Sequence, residues 1–207
     1  MRFWKPRTNI PSAAKIGISL VTYNQTDCLA ALVYALKAQT FRNFKVYIIH
    51  DGPWLPEAHR VCLVAIDGDD RFSMSCTEER ANAYGHNLRQ IGFDKAYAAG
   101  CDWIGTMNGD GLYAPVYFEW MLSEAETAKA NFVCCNMIHS HKQWHALVTG
   151  LVRARIDAGS WLARSSIASL SKWTSLAFEG DWVYIHGLTQ APGFVPAKVN
   201  GFLFVHN

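Results

Sequence analysis

An α/β fold with a mostly parallel central sheet is what this sequence predicts, on three observations. Short apolar, β-branched runs recur at residues 15–22, 44–50 and 103–107, as in strands buried on both faces. Segments with apolar residues at helical spacing lie between them. Each run stops at turn-forming residues, so the links are short. Strands and helices alternating over short links form parallel layers.

The elements follow in order. Residues 1–14 hold two prolines among polar residues and read as an irregular leader. Residues 15–22 (KIGISLVT) are the first strand, and Tyr23-Asn24-Gln25-Thr26-Asp27 is a loop with capping residues. Leu29, Leu32, Val33 and Leu36 then mark a helix over 28–38. Residues 44–50 (FKVYIIH) form a second strand closed by Asp51-Gly52-Pro53. A helix over 56–65 and a weaker strand over 71–76 come next. Leu88, Ile91, Ala96 and Ala99 mark a helix over 87–99, ended by Gly100. The strand 103–107 breaks into Asn108-Gly109-Asp110-Gly111, the densest turn signal in the chain. Pro115 suits a helix start, and 116–128 is helical in character. After a strand at 132–138 the alternation becomes irregular. Residues 15–207 read as a single domain whose second half is built on the same sheet.

Composition narrows the function. The 207 residues are long enough for one substantial core. A net charge of +2 argues against binding nucleic acid by phosphate attraction. Eight Trp and eleven Phe suggest a large aromatic core with sugar-facing surfaces. None of the six cysteines forms a Cys-x-x-Cys pair, and residues 1–15 lack the apolar core of a signal peptide. The expectation is a cytoplasmic chain with reduced, mostly buried thiols. No apolar run is long enough to span a bilayer. Phe3, Trp4, Lys5 and Arg7 leave peripheral membrane attachment open beside a loose tail.

Asp110 stands where a strand ends, and open α/β sheets gather ligands at the carboxyl ends of their strands. A carboxylate flanked by Gly and Asn can meet a hard cation or a cation-bound phosphate; an ordinary turn is the competing reading. His139-Ser140-His141 with His145 invites a zinc reading. Their spacing fits no standard zinc framework, and adjacent Cys134 and Cys135 are poorly placed to chelate.

Thr22-Tyr23-Asn24, His50-Asp51-Gly52-Pro53 and Asn108-Gly109-Asp110 end three strands, with Gln39-Thr40-Phe41-Arg42-Asn43-Phe44 between the first two. In this order and spacing they resemble the GT-A glycosyltransferases, specifically glycosyltransferase family two. Tyr84-Gly85-His86-Asn87-Leu88-Arg89, Ile156-Asp157-Ala158-Gly159-Ser160, Glu179-Gly180-Asp181-Trp182 and Phe204-Val205-His206-Asn207 extend the resemblance to the end of the chain. It implies a GT-A (Rossmann-like) α/β/α sandwich. Residues 15–115 would be its nucleotide-sugar-binding half and 116–207 its acceptor-binding half.

The resemblance also implies an inverting, metal-assisted transfer of a sugar from a UDP-, GDP- or TDP-sugar to a hydroxyl of a glycan or other acceptor. Asp110 and His206 would hold Mn2+ or Mg2+ with donor phosphates, the imidazole tilting the choice toward Mn2+. Thr22, Tyr23, Asn24, Asp51, Arg89, Asn108 and Gly109 would line the donor site. Within it, Asp51 would face the nucleobase and Arg89 the diphosphate. A solvated helix position for Arg89 and a plain Asp-Gly turn for Asp51 are the alternatives. Asp181 would be the base that removes the acceptor proton, with Glu179 second and a helix N-cap as the competing role for Asp181. His139, His141, Trp144, Asp157 and Trp182 would face the acceptor, with Ile156–Ser160 read as a strand on that side.

Two positions depart from the family pattern. Asn108 replaces the first acid of Asp-x-Asp, and His50-Asp51-Gly52-Pro53 replaces Asp-Asp-Gly-Ser. The first departure favours a second reading, a non-catalytic nucleotide-sugar binder. A nucleotidyltransferase of similar topology is the third. That would want a Gly-rich phosphate loop with a Lys after the first strand, which Thr22-Tyr23-Asn24-Gln25 does not supply.

Overall fold

The computed structural model describes residues 13–207, so Phe3, Trp4, Lys5, Arg7 and most of the leader lie outside the described residues. Four strands open the fold: β1 (Ile16–Thr22), β2 (Phe44–His50), β3 (Phe72–Cys76) and β4 (Trp103–Asn108). They lie side by side as β3-β2-β1-β4, all parallel. Helices α1 (Thr26–Lys37), α2 (Pro56–Ile66) and α3 (His86–Ala98) join them. Every residue of β1 is buried, as expected of a strand paired on both edges and covered on both faces.

Successive side chains of a strand point to opposite faces, and the core divides accordingly. Ile16, Ile18 and Leu20 of β1 pack with Leu29, Leu32, Val33 and Leu36 of α1. Burial of each such side chain stabilises by about 1.5–3 kcal/mol before chain entropy is counted. On the other face, Ile104 packs with Phe93 and Ala96 of α3. That helix lies tight on β1. A Cβ on Gly17 would stand 2.4 Å from the Ala96 Cβ, and one on Gly92 would stand 2.2 Å from the Ser19 Oγ. Helices on both faces give the three-layer sandwich.

The second half extends the same sheet with mixed pairing. It contains β5 (Leu112–Tyr113), α4 (Tyr117–Thr127), β6 (Phe132–His139), β7 (His145–Leu147), β8 (Trp161–Arg164), α5 (Ser165–Ala168), α6 (Gly180–Thr189) and β9 (Pro196–His206). Strand β8 inserts antiparallel between β4 and β6. Strand β9 runs parallel to β6 and antiparallel to β5. The β6–β9 register sets His139 opposite His206.

Several elements differ from the sequence reading. Residues 156–160 are no strand. Ala158–Ser160 is a single 3-10 turn, and the strand begins only at Trp161. The cause is a capping box, in which the Asp157 carboxylate accepts the Gly159 N–H at 2.8 Å. The Ser160 hydroxyl donates to the Asp157 carbonyl at 2.8 Å. Helix α1 starts at Thr26, two residues before Cys28, and α4 starts at Tyr117, two residues after Pro115. All six cysteines are free, with Cys62, Cys101, Cys134 and Cys135 buried. Among the described residues no helix is long and apolar enough to cross a membrane.

Candidate active site

The chain runs from β1 outward through β2 to β3, then returns to place β4 on the other edge of β1. Strand order therefore reverses between β1 and β4, and such a switch point opens a crevice at the strands' carboxyl ends. A cavity of about 780 Å³ lies there, lined by Thr22, Asp51, Asn108 and Asp110 from one side and by His139, Asp157, Asp181 and His206 from the other.

On the first side, Asp51 is buried. Its two carboxylate oxygens accept the N–H groups of Ala81 at 2.7 Å and Asn82 at 3.1 Å, which ties the loop after β3 to the end of β2. Arg80 in that loop lies 3.5 Å over the Tyr23 ring, and its Nε is 3.9 Å from the Asp51 carboxylate. A flat cation–aromatic wall thus stands beside a buried carboxylate, an arrangement suited to a planar ring with hydrogen-bond donors.

Arg89 is only 2% exposed, which removes the solvated-helix alternative. Its guanidinium donates to the Thr106 hydroxyl at 2.8 Å and the Asn108 side-chain Oδ1 at 2.7 Å, and lies 5.2 Å over the Trp173 ring. Burial pulls its pKa down, and the fields of Asp157 and Asp181 push it back up. Its hydrogen-bond partners are neutral, because Asn108 stands where an acid is usual. The guanidinium therefore reaches the cavity lining with no carboxylate bonded directly to it among the described residues.

Asp110 is held by Gln25, whose Nε2 donates to one carboxylate oxygen at 3.1 Å. The other oxygen is buried without a hydrogen-bond partner among the described residues. Burial raises the Asp110 pKa, and the field of His206 opposes that rise. Gly109 leaves room for this loop, since a Cβ there would stand 2.6 Å from the Thr22 hydroxyl and 2.7 Å from the Gln25 amide oxygen.

His206 ends β9. Its ring stacks on His139 at 4.2 Å, and its Nε2 is 3.6 Å from an Asp157 carboxylate oxygen. Its Nδ1 is buried and unpartnered among the described residues. Burial, and then the neighbouring His206, lower the His139 pKa. One ligand atom each from His139, Asp157 and His206 fall within 4.8 Å of one another. Orphaned atoms on Asp110 and His206 and a mixed oxygen–imidazole donor set fit a divalent cation.

Asp181 lies in the first turn of α6, inside the helix. The N-cap position is Glu179, so Asp181 is not the cap. One Asp181 oxygen accepts the adjoining Trp182 N–H at 2.7 Å. Burial first, and the negative field of Asp157 second, raise its pKa to about 6. Glu179 is 46% exposed and ion-paired with Arg153. Below the helix start, His86 stacks on Trp173 at 5.5 Å, and burial lowers its pKa to about 4. A Cβ on Gly180 would stand 2.5 Å from that His86 ring, so glycine lets α6 approach it.

Thr22, Tyr23, Asp51, Arg89, Asn108, Asp110, His139, His141, Asp157, Glu179, Asp181, Trp182 and His206 all line the cavity. Asn24 and Gly109 turn its edges without lining it, and Trp144 is 56% exposed outside it. Gln25, Arg80, His86 and Arg153 also line it and were not foreseen. Gln25, three residues past a strand end, carried a local signal as a polar side chain one turn from Thr22. Arg80 and Arg153 sit in irregular segments with no pattern to read.

The sandwich, the switch point and the carboxylates around it define the GT-A class. The sequence model of Glycosyl transferase family 2 matches residues 18–150, and the chain belongs to that family. S. aureus TarS 1-349 is similar in structure, with a TM-score of 0.76 at 11% identity over 93% of this chain and 60% of that one. TarS 1-349 in complex with UDP-GlcNAc gives 0.75 at 12% identity over 92% of this chain and 58% of that one. Against the longer S. aureus TarS structure the TM-score is 0.74 at 12% identity, and this chain spans 93% of itself but 36% of that chain. No curated protein matches the sequence.

Proposed function

We propose that this chain transfers a sugar from a nucleotide-sugar donor to an acceptor hydroxyl with inversion, assisted by a divalent cation. The convergence of Asp110, His206 and Asp181 on one cavity floored by buried Arg89 carries the reading. Tyr23, Arg80 and Asp51 would take the base and Arg89 the diphosphate. Structures of TarS in complex with UDP and UDP-GlcNAc favour a uridine donor.

Asp110 and His206 would hold the cation, which when bound neutralises charge on the leaving diphosphate. Asp181 would accept the acceptor hydroxyl proton as attack proceeds. A base with a pKa of about 6 is ionised at neutral pH, yet more basic than an ordinary carboxylate. Trp182 beside it would give an apolar wall for the acceptor ring. His139, His141 and Asp157 would border the acceptor from β6 and the turn before β8.

The test is nucleotide release from a panel of UDP-, GDP- and TDP-sugars with Mn2+, with and without a mixed glycan acceptor pool. Acceptor-dependent release from one donor supports transfer. Donor binding without release by any acceptor or water would favour the non-catalytic reading, whose specific support is neutral Asn108 in the acid position.

A further inference from the structure

We infer that His139, Asp157 and His206 form a divalent-cation site of their own, filled from the protein side alone, before any nucleotide binds. The inference goes beyond the proposed transfer reaction; it shares His206 with the cation position proposed there and replaces Asp110 with His139 and Asp157 as its partners. Three observations carry it. The three side chains offer ligand atoms within 4.8 Å of one another. The topology fixes two of them, since parallel pairing of β6 with β9 places His139 opposite His206. The capping box holds the third, fixing the Asp157 backbone while one carboxylate oxygen bonds to the Gly159 N–H. The other carboxylate oxygen is left to face His206 at 3.6 Å.

No hydrogen bond joins His206 to Asp157, and its Nδ1 has no partner among the described residues. A buried ring nitrogen left unpaired is costly unless a ligand meets it, and the opposite nitrogen, Nε2, stands close to the Asp157 carboxylate without bonding to it. His139 Nδ1 accepts the His141 N–H at a long 3.2 Å, so the metal-free ring carries its proton on Nε2. Ligation through Nε2 moves that proton to Nδ1 and gives up one weak bond.

Two imidazoles and a carboxylate select borderline first-row ions over Mg2+. Zn2+ and Co2+ should therefore bind more tightly than Mn2+, and Mg2+ least. Such a site would leave the cation resident, so the donor meets a loaded cavity. That differs from a cation brought in by a diphosphate to Asp110.

The experiment is calorimetric titration of the metal-free full chain with Zn2+, Mn2+ and Mg2+ separately, without nucleotide, plus Co2+ absorbance. The expected result is one equivalent of Zn2+ and a Co2+ spectrum of mixed nitrogen and oxygen ligation. His139→Ala and Asp157→Asn should each weaken Zn2+ binding by at least about tenfold. Asp110→Ala should weaken it less than either. Where His139→Ala fails to fold by circular dichroism, His139→Gln keeps a polar side chain of similar reach and serves instead. No binding without nucleotide would overturn the site. So would binding indifferent to both substitutions, which would mark an adventitious surface ion, or binding most sensitive to Asp110. Because no donor is present, these outcomes are independent of whether the chain transfers sugar.

Discussion

The two halves of the sheet are built differently and supply different things. Residues 16–108 form parallel strands with regular crossovers, and the groups suited to a donor stand at their ends: Thr22, Asp51, Asn108. Residues 116–207 pair mostly antiparallel, apart from β6 with β9, and place Asp157, Asp181 and His206 from a turn, a helix start and a strand end. A parallel sheet makes its crevice by topology alone. The second half has no such rule, so each of its groups is fixed by local devices: a capping box, a glycine against a ring, a strand register. Under the proposed function the regular half would bind the donor, and the irregular half would decide what reaction follows.

The largest effect should come from removing the proposed base of the irregular half. Asp181→Asn should lower turnover by at least about a hundredfold while donor affinity stays level. With the Asp181 pKa at about 6, wild-type turnover should fall about tenfold per pH unit below 6, a limb the variant lacks. Stability should move the other way. A carboxyl whose folded pKa lies above its unfolded value holds more protons when folded, so its ionisation costs stability as pH rises through about 4 to 6. At pH 8 the variant should therefore melt later than wild type, by about 3 kcal/mol at most, and the gap should close near pH 4. Equal turnover in a folded variant would move the reaction away from α6.

The next test joins the halves. Asp110→Ala should abolish Mn2+-dependent donor binding, and His206→Ala should weaken it about tenfold. Calorimetry with and without Mn2+ reads both. A dependence on Mn2+ that survives Asp110→Ala would confine the cation to the second half.

Within the first half, Asp51→Ala should weaken donor binding by about 1.5–3 kcal/mol, the scale of a lost hydrogen bond to a charged group. Part of that loss is indirect, because Asp51 also anchors the Ala81 and Asn82 backbone. Faster proteolysis of that loop in the variant would separate anchoring from direct contact.

The same contrast explains what the sequence disclosed. Strands β1, β2 and β4 were legible to within one residue at each end, because β-branched runs between turn formers have few other uses. Asp110, Asp51 and His206 stand out in the sequence through motif order, and all three line the cavity. Residues 156–160 were misread because an Asp with a Ser three residues on can close a capping box around a turn as readily as it can open a strand. Arg89 is open in the sequence between a diphosphate partner and a solvated helix cation, and only its burial beside Trp173 and β4 removes the second. Its partners lie 17 and 19 residues away, beyond the reach of a local pattern.

The smallest effect separates two acids one residue apart from Gly180. Glu179 and Asp181 both line the cavity, and both suit a base by type. Glu179 meets solvent and Arg153, at 46% and 66% side-chain exposure respectively. An exposed ion pair contributes at most about 1 kcal/mol, and less in salt. Its helix has no side-chain cap bond to lose. Glu179→Gln keeps the side chain's length and its acceptor oxygen, removing only charge. Turnover should then change by less than about threefold, and the pH limb set by Asp181 should stay in place. Both are read from one set of initial rates between pH 5 and pH 8. A loss as large as that of Asp181→Asn would mean that the exposed acid accepts the proton. Asp181, buried and raised by Asp157, would then serve to shape the cavity around it.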